Sequence, residues 1–235
     1  MSIERNLIIS LLKLSKEGCF LTEDVEKDSK TPSTTTIKLL RKLQNDELVY
    51  LESNNVRIDS GMRLKLAVKA TSLGSDLERI SNLLCWQEFE EIAAFALKNY
   101  GYSVTNNVRF KYAGRKWEID VVGCKKPLVV CIDCKHWQHA IAHSALKRIV
   151  DSQVERTRAF ADSLPNISLN LECTRWSNAK FIPAVLSLMP SAFKFYDKVP
   201  VVPILQMQDF LNQMPVYIES LKFFPKNFSN LSPVL

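Results

Sequence analysis

Apolar residues recur at helical spacing from the start of the chain, where Leu7, Ile8, Leu11, Leu12 and Leu14 mark one face of a first helix. A short second helix is predicted over Glu23 to Asp28. A third opens at Thr31-Pro32, where a hydroxyl can cap and a proline suits the first helical position. It continues Ser33-Thr34-Thr35-Thr36-Ile37-Lys38-Leu39-Leu40-Arg41-Lys42-Leu43. Two short strands follow near Leu48–Glu52 and Val56–Ile58, turned by Ser53-Asn54-Asn55. Residues 59–83 keep apolar positions at Met62, Leu64, Leu66, Val68, Leu73, Leu77, Ile80 and Leu83. That is too apolar for a flexible linker and predicts a helical connector, with Gly61 and Gly74 as points of interruption.

The period changes after residue 84. A helix is predicted from Trp86 to Tyr100, ended by Gly101. Strands are predicted at 102–112, 117–123 and 128–135, and a helix over 143–163. Strand-like runs appear at Ile167–Cys173, Lys180–Leu188 and Val199–Leu205, then a helix at Gln208 to Gln213. The last 20 residues, with Phe223, Phe224 and Phe228, show no assignable element. The fold class is α/β (α+β), a mixed sheet flanked by helices, preceded by a small helical domain with a hairpin. The expected division is 1–58, a connector 59–83, a main domain 84–215 and a tail 216–235.

Chemistry concentrates on two of these strands. Leu128-Val129-Val130-Cys131-Ile132-Asp133-Cys134-Lys135 is an apolar run ending in two charges. Asp133 and Lys135, two residues apart, share one face. The preceding strand reads Trp117-Glu118-Ile119-Asp120-Val121-Val122-Gly123. A hairpin centred near Lys126-Pro127 pairs residue i with 253 − i, placing Asp120 opposite Asp133 and Glu118 opposite Lys135. Opposed carboxylates repel across a sheet, and a hard divalent cation with oxygen ligands reverses that penalty. On the helix from Trp86, Phe89, Ala93, Ala96 and Tyr100 mark the buried stripe. Glu90 borders it, while Glu88 and Glu91 are expected to face solvent.

Charge sharpens the picture. The chain has 235 residues, 46% of them apolar, and a net charge of +6. Residues 101–160 alone carry 11 Lys/Arg against 5 Asp/Glu, accounting for the whole excess and favouring a polyanionic partner. No apolar run approaches the roughly 20 residues that cross a bilayer, and the N-terminal stretch lacks the pattern of a signal peptide. A cytoplasmic protein without membrane association is expected, with Cys19, Cys85, Cys124, Cys131, Cys134 and Cys173 reduced. A zinc site could draw on Cys131-x-x-Cys134, His136, His139, His143 and Cys173. Cys131 and Cys134, however, point to opposite faces of one strand, so the histidines are expected to line a loop near the site instead.

Residues 1–58 resemble a winged helix-turn-helix, in which the third helix, with Lys38, Arg41 and Lys42, would meet DNA phosphates. Phe89-Glu90, Tyr100-Gly101-Tyr102-Ser103-Val104, Glu118-Ile119-Asp120-Val121-Val122 and Ile132-Asp133-Cys134-Lys135 resemble the PD-(D/E)XK nuclease superfamily. The closest flavour is that of Mrr-like restriction endonucleases and archaeal Holliday junction resolvases, over about residues 86–205. Asp133 stands where those relatives usually have Glu. The resemblance implies a DNA endonuclease using Mg²⁺, with Mn²⁺ as substitute. It implies that Asp120, Asp133 and the Cys134 carbonyl hold the metal, with Glu90 as auxiliary ligand. Lys135 would orient or activate the attacking water, and Gln153 would stand near the site. Arg109, Lys111, Arg115 and Lys116 are expected to line the cleft, and cutting both strands would call for a homodimer. The alternative is a non-catalytic DNA-binding protein with an inert nuclease-like domain.

Overall fold

The computed structural model describes residues 2–16, 18–76, 79–80, 82–135, 142–164, 169–187 and 193–228. The chain divides into two compact units, Met1–Glu88 and Phe89–Leu235. The first holds α1 (Ile3–Leu14), β1 (Phe20–Leu21), α2 (Thr22–Ser29), α3 (Ser33–Asn45), β2 (Tyr50–Glu52), β3 (Asn55–Arg57) and α4 (Ser60–Ser72). Its strands form a small antiparallel sheet in the order β1-β3-β2. The apolar stripe of α1 closes onto Val25, Leu40, Leu43 and Val56, all fully buried. Strand β1 has no periodic signal because it is two residues long, with Phe20 pairing Val56. Helix α3 begins one residue later than expected. Pro32 takes the cap position; the Thr31 hydroxyl turns back to the Ser29 carbonyl, and the Thr31 carbonyl accepts from the Thr36 hydroxyl.

Helix α4 is more than a connector. Asp59 caps it by accepting the Met62 N–H at 2.8 Å. Met62, Leu66, Ala67 and Ala70 then join the core formed by α1, α2, α3 and β3. Arg63, on the same helix, is 6% exposed and forms a salt bridge with Glu88, which is 5% exposed. Its guanidinium also donates to the Leu12 carbonyl at 2.6 Å, to the Ser15 hydroxyl and to the Leu83 carbonyl. Glu88 accepts the Cys85 N–H on its other oxygen at 2.7 Å. Glu88 was expected to face solvent. It is buried instead, because a cation 25 residues earlier in the chain satisfies it.

The second unit takes up most of α5 (Trp86–Asn99), then β4 (Ser103–Tyr112), β5 (Arg115–Lys125), β6 (Leu128–Lys135) and α6 (His143–Ser163). A 3₁₀ turn (Glu172–Arg175) follows, then β7 (Asn178–Ser187), β8 (Phe195–Tyr196), β9 (Val199–Pro203), α7 (Met207–Tyr217) and β10 (Phe224–Asn227). The run around Cys173 is therefore a 3₁₀ turn and not a strand, and residues 165–168 at its start lie outside the described residues. Residues 216–228 include strand β10 of the main sheet.

The sheet order is β4-β5-β6-β7-β9-β8, with β10 on β7 beside the start of β9. β4, β5 and β6 are antiparallel neighbours, whereas β6-β7 and β7-β9 are parallel. β4 turns into β5 through Ala113-Gly114, both at positive φ (49° and 77°), the two-residue turn whose twist suits a hairpin. β5 and β6 pair as Val121↔Ile132 through Lys125↔Leu128, the register expected from a turn at Lys126-Pro127. Helix α6 covers one face and buries Phe160 between Phe110 and Phe181. On the other face Gly123 leaves room for Leu97 of α5, whose methyls lie 2.9–3.0 Å from where a Cβ would sit.

Removing one partner of a buried, fully bonded charge pair leaves the other stranded. Arg63→Ala should therefore destabilise the first unit by about 3–5 kcal/mol in urea unfolding. A loss under about 1 kcal/mol would show that water satisfies Glu88.

Candidate active site

The site lies where β5 and β6 stop pairing. The recorded ladder ends at Val121↔Ile132, so Asp120 and Asp133 are the first residues beyond it. On the other side of β5, Asn107 faces Asp120 with φ 52°, and the β4–β5 pairing steps over both residues. Side-chain alternation resets there as well. Ile119 shares a core with Val122 and Cys124, which a regular strand would place on the opposite face from Ile119. Asp120 is thereby released from the ladder, and its Oδ2 accepts the Cys134 N–H at 2.7 Å.

Asp133 is 2% exposed. Lys135 Nζ reaches its two oxygens at 3.1 and 2.9 Å, as expected of residues sharing one strand face. Arg156 of α6 bonds Asp133 Oδ1 and also donates to Gln153 Oε1 at 3.1 Å. Gln153 is fully buried and donates Nε2–H to the Cys131 carbonyl at 2.7 Å, which fastens α6 to β6. Glu90 arrives from α5, 4% exposed, and its Oε1 is buried without a hydrogen-bond partner among the described residues.

These groups feel one another's charge. Burial pushes the Glu90 carboxyl up to about 7, and the charges of Asp120, Glu118 and Asp133 add to the rise. Asp120 is also raised, by burial first; the Cys134 N–H opposes this, Asp133 adds to it, and Lys135 and Arg156 offset it. Burial beside Asp120, Glu90 and Asp133 lifts the Cys134 thiol well above its usual range, so it stays a neutral thiol.

The structure thus brings together Glu90, Asp120, Asp133, Cys134, Lys135 and Gln153. Sequence reasoning missed Arg156, although Gln153-x-x-Arg156 puts both on one helix face. Of the histidines, His143 stacks against Phe193 and Tyr196 at 5.4 and 5.2 Å, while His136 and His139 lie outside the described residues. Arg109, Lys111, Arg115 and Lys116 sit on the part of the β4–β5 hairpin that projects past the last β5–β6 pair. Arg109 is bonded to Glu118 at 3.1 Å, Arg115 stacks over Trp117 at 4.0 Å, and Lys111 pairs directly across from Lys116. In the first unit Lys38, Arg41 and Lys42 all lie on the exposed face of α3, Lys42 at 3.1 Å from Glu4.

Among the described residues no three Asp, Glu, His or Cys side chains are already drawn into a metal cage. Asp133 gives its oxygens to Lys135 and Arg156 instead. The donor chemistry nonetheless suits a hard cation. Three acids feel one another's charge, one buried carboxylate oxygen has no partner among the described residues, and oxygen is what Mg²⁺ or Mn²⁺ takes.

Residues 86–173 match the nuclease-related domain family (NERD), in agreement with the PD-(D/E)XK resemblance, and that stretch contains every residue of the cluster. An uncharacterized protein from Archaeoglobus fulgidus is 24% identical over 139 residues, 59% of this chain and 98% of that protein. Among solved structures, VC1899 from Vibrio cholerae aligns at 12% identity and TM-score 0.40, over 92% of this chain and 50% of that one. Can2 from Sulfobacillus thermosulfidooxidans, solved in complex with cyclic tetra-adenylate, aligns at 13% and 0.36 over the same shares. AF1548, a protein of unknown function, aligns at 16% and 0.28, over 42% of this chain and 46% of that one. The chain spans about half the length of each of these structures. No described helix is long and apolar enough to cross a membrane.

Glu90 supplies a pH test in metal-free buffer. The folded chain keeps its proton up to about 7, whereas an unfolded glutamate loses it near its ordinary value of 4.5. Between these values the folded state holds more protons, so stability falls as pH rises. From about pH 5 to about pH 8 the loss should be on the order of 2 kcal/mol, and Glu90→Gln should remove that slope. An unchanged slope in the variant would place the titration elsewhere.

Proposed function

We propose that the second unit hydrolyses phosphodiester bonds in DNA with the help of Mg²⁺ or Mn²⁺. The observation that carries this reading is the meeting of Glu90, Asp120, Asp133 and Lys135, from a helix and two strands, at one buried sheet end. A cluster of like charges is costly to bury, and nothing in the packing of the sheet calls for it. In this reading Asp120, Asp133, the Cys134 carbonyl and Glu90 hold the cation, with Glu90 contributing least. Bound there, the cation would supply a water of lowered pKa and neutralise charge building on the phosphate.

The chain's own residues do the rest. Lys135, partly exposed beside Asp133, places an ammonium next to the attacking water and the developing phosphorane charge. Arg156 holds the Asp133 carboxylate until a cation takes its place, and Gln153 fixes the Cys131 backbone and accepts from Arg156. Lys111 and Lys116 at the projecting hairpin, which have no ion pair among the described residues, offer a polyanion its first contacts with Arg109 and Arg115. In the first unit, the order of three helices and two paired strands fits a winged helix, with Lys38, Arg41 and Lys42 aimed at phosphates.

The experiment is single-turnover cleavage of plasmid, flapped and four-way-junction DNA with Mg²⁺ or Mn²⁺. Lys135→Ala should cleave at least about 100-fold more slowly, and Asp120→Asn and Asp133→Asn should not cleave. All three should still bind DNA, because most phosphate contacts lie elsewhere. Lys135→Ala cleaving at the wild-type rate would remove the reading. DNA binding with no cleavage by the wild type would favour the non-catalytic alternative.

A further inference from the structure

Beside the carboxylate cluster is a cavity of about 330 Å³, walled by Asp133 and Lys135 of β6 and by Arg148, Ile149, Ser152 and Arg156 of α6. These four helical residues follow one stripe at spacings of one, three and four, which flanks the buried face of Leu146, Val150, Gln153 and Thr157 that α6 turns towards the sheet. Further along the helix Phe160 fills the core from the corresponding side, but here the stripe is cationic and polar. Three cations line the cavity against one carboxylate. Lys135 and Arg156 share Asp133. Arg148 is exposed and has no ion pair among the described residues.

Lys135 and Arg156 are answered by Asp133 and also face Asp120, so Arg148 is the cation of this lining whose charge an anion would neutralise. Arg148 lies eight residues before Arg156, about 12 Å along the helix. That separation lets Arg148 take a phosphate next to the one that meets the Lys135–Arg156 pair. Ser152, one turn from each, offers a hydroxyl between them. An arginine presents a fork of N–H groups suited to two phosphate oxygens.

We propose that Arg148 and Ser152 form a subsite for a second phosphodiester of the DNA strand, next to the one that reaches Lys135. The assignment rests on the nuclease reading above for its substrate, and it adds a residue that sets how the strand lies across the site. Arg148 is a positioning residue; it does not touch the reacting atoms.

The test uses binding without cleavage. The full chain is titrated in chelator against a fluorescein-labelled flapped duplex whose junction fixes the register, and anisotropy is read across a salt series. Arg148→Ala should weaken binding about tenfold and lower the salt slope by about one, and Arg148→Lys should recover the slope. Single methylphosphonates, which remove one phosphate charge each, are then placed along the junction. One position should weaken the wild type and have no further effect in Arg148→Ala. An unchanged salt slope in Arg148→Ala, or a methylphosphonate penalty that persists there at every position, would overturn the subsite. So would a wild type that does not bind the duplex. If the binding pattern holds while the wild type cleaves nothing in Mg²⁺ or Mn²⁺, the subsite stands and the nuclease reading falls.

Discussion

Carboxylates gathered at a sheet end repel one another and lose hydration as they are covered, and the second unit holds three of them there, Glu90 and Asp133 buried and Asp120 half-buried. Glu90, Asp120 and Asp133 are tolerable there only because each has a different remedy. Asp133 is bracketed by Lys135 and Arg156. Asp120 takes a backbone N–H that a regular ladder would direct elsewhere. Glu90, whose Oε1 lacks a partner among the described residues, holds on to its proton up to about 7. The local backbone, the choice of residues on α6 and the proposed chemistry all follow from this constraint.

The backbone meets it by interrupting the sheet. β4 and β5 stay in register on both sides of Asn107 and Asp120, yet the alternation of faces resets between them. That releases Asp120 towards Cys134 without shifting the rest of the hairpin. Two anchors keep the neighbourhood rigid: Gln153 on the Cys131 carbonyl from α6, and Leu97 against Gly123 from α5. The carboxylates are therefore set by packed elements and not by loops, which suits a site that must hold geometry against repulsion.

Much of this was legible in the order of residues. The run from Leu128 to Lys135 is bounded by a proline before it and two charges at its end, and the strand spans those residues. The tight turn at Lys126-Pro127 made the register countable, and it holds from Val121 to Lys125. Long-range partners were less visible. Glu88 is buried by Arg63, a residue on another helix, so helical periodicity alone sent it to solvent. Arg156 looked like one more helix charge, since only the approach of α6 to β6 gives it Asp133. The stretch Leu169, Leu171, Cys173 alternates like a strand because alternate residues are buried, yet it finds no strand to pair with. β10 was hidden because four residues with one proline carry too little pattern, and its place comes from the edge that β7 leaves open.

The central claim is that the three acids gather around a divalent cation. Its most direct test is an anomalous-scattering map from crystals of the full chain soaked in Mn²⁺. The account predicts one ion bounded by the carboxylates of Asp120 and Asp133, with Glu90 on its near side and Arg156 displaced from Asp133. A map without manganese at this sheet end, or with the ion held by other residues while Arg156 stays on Asp133, would contradict it.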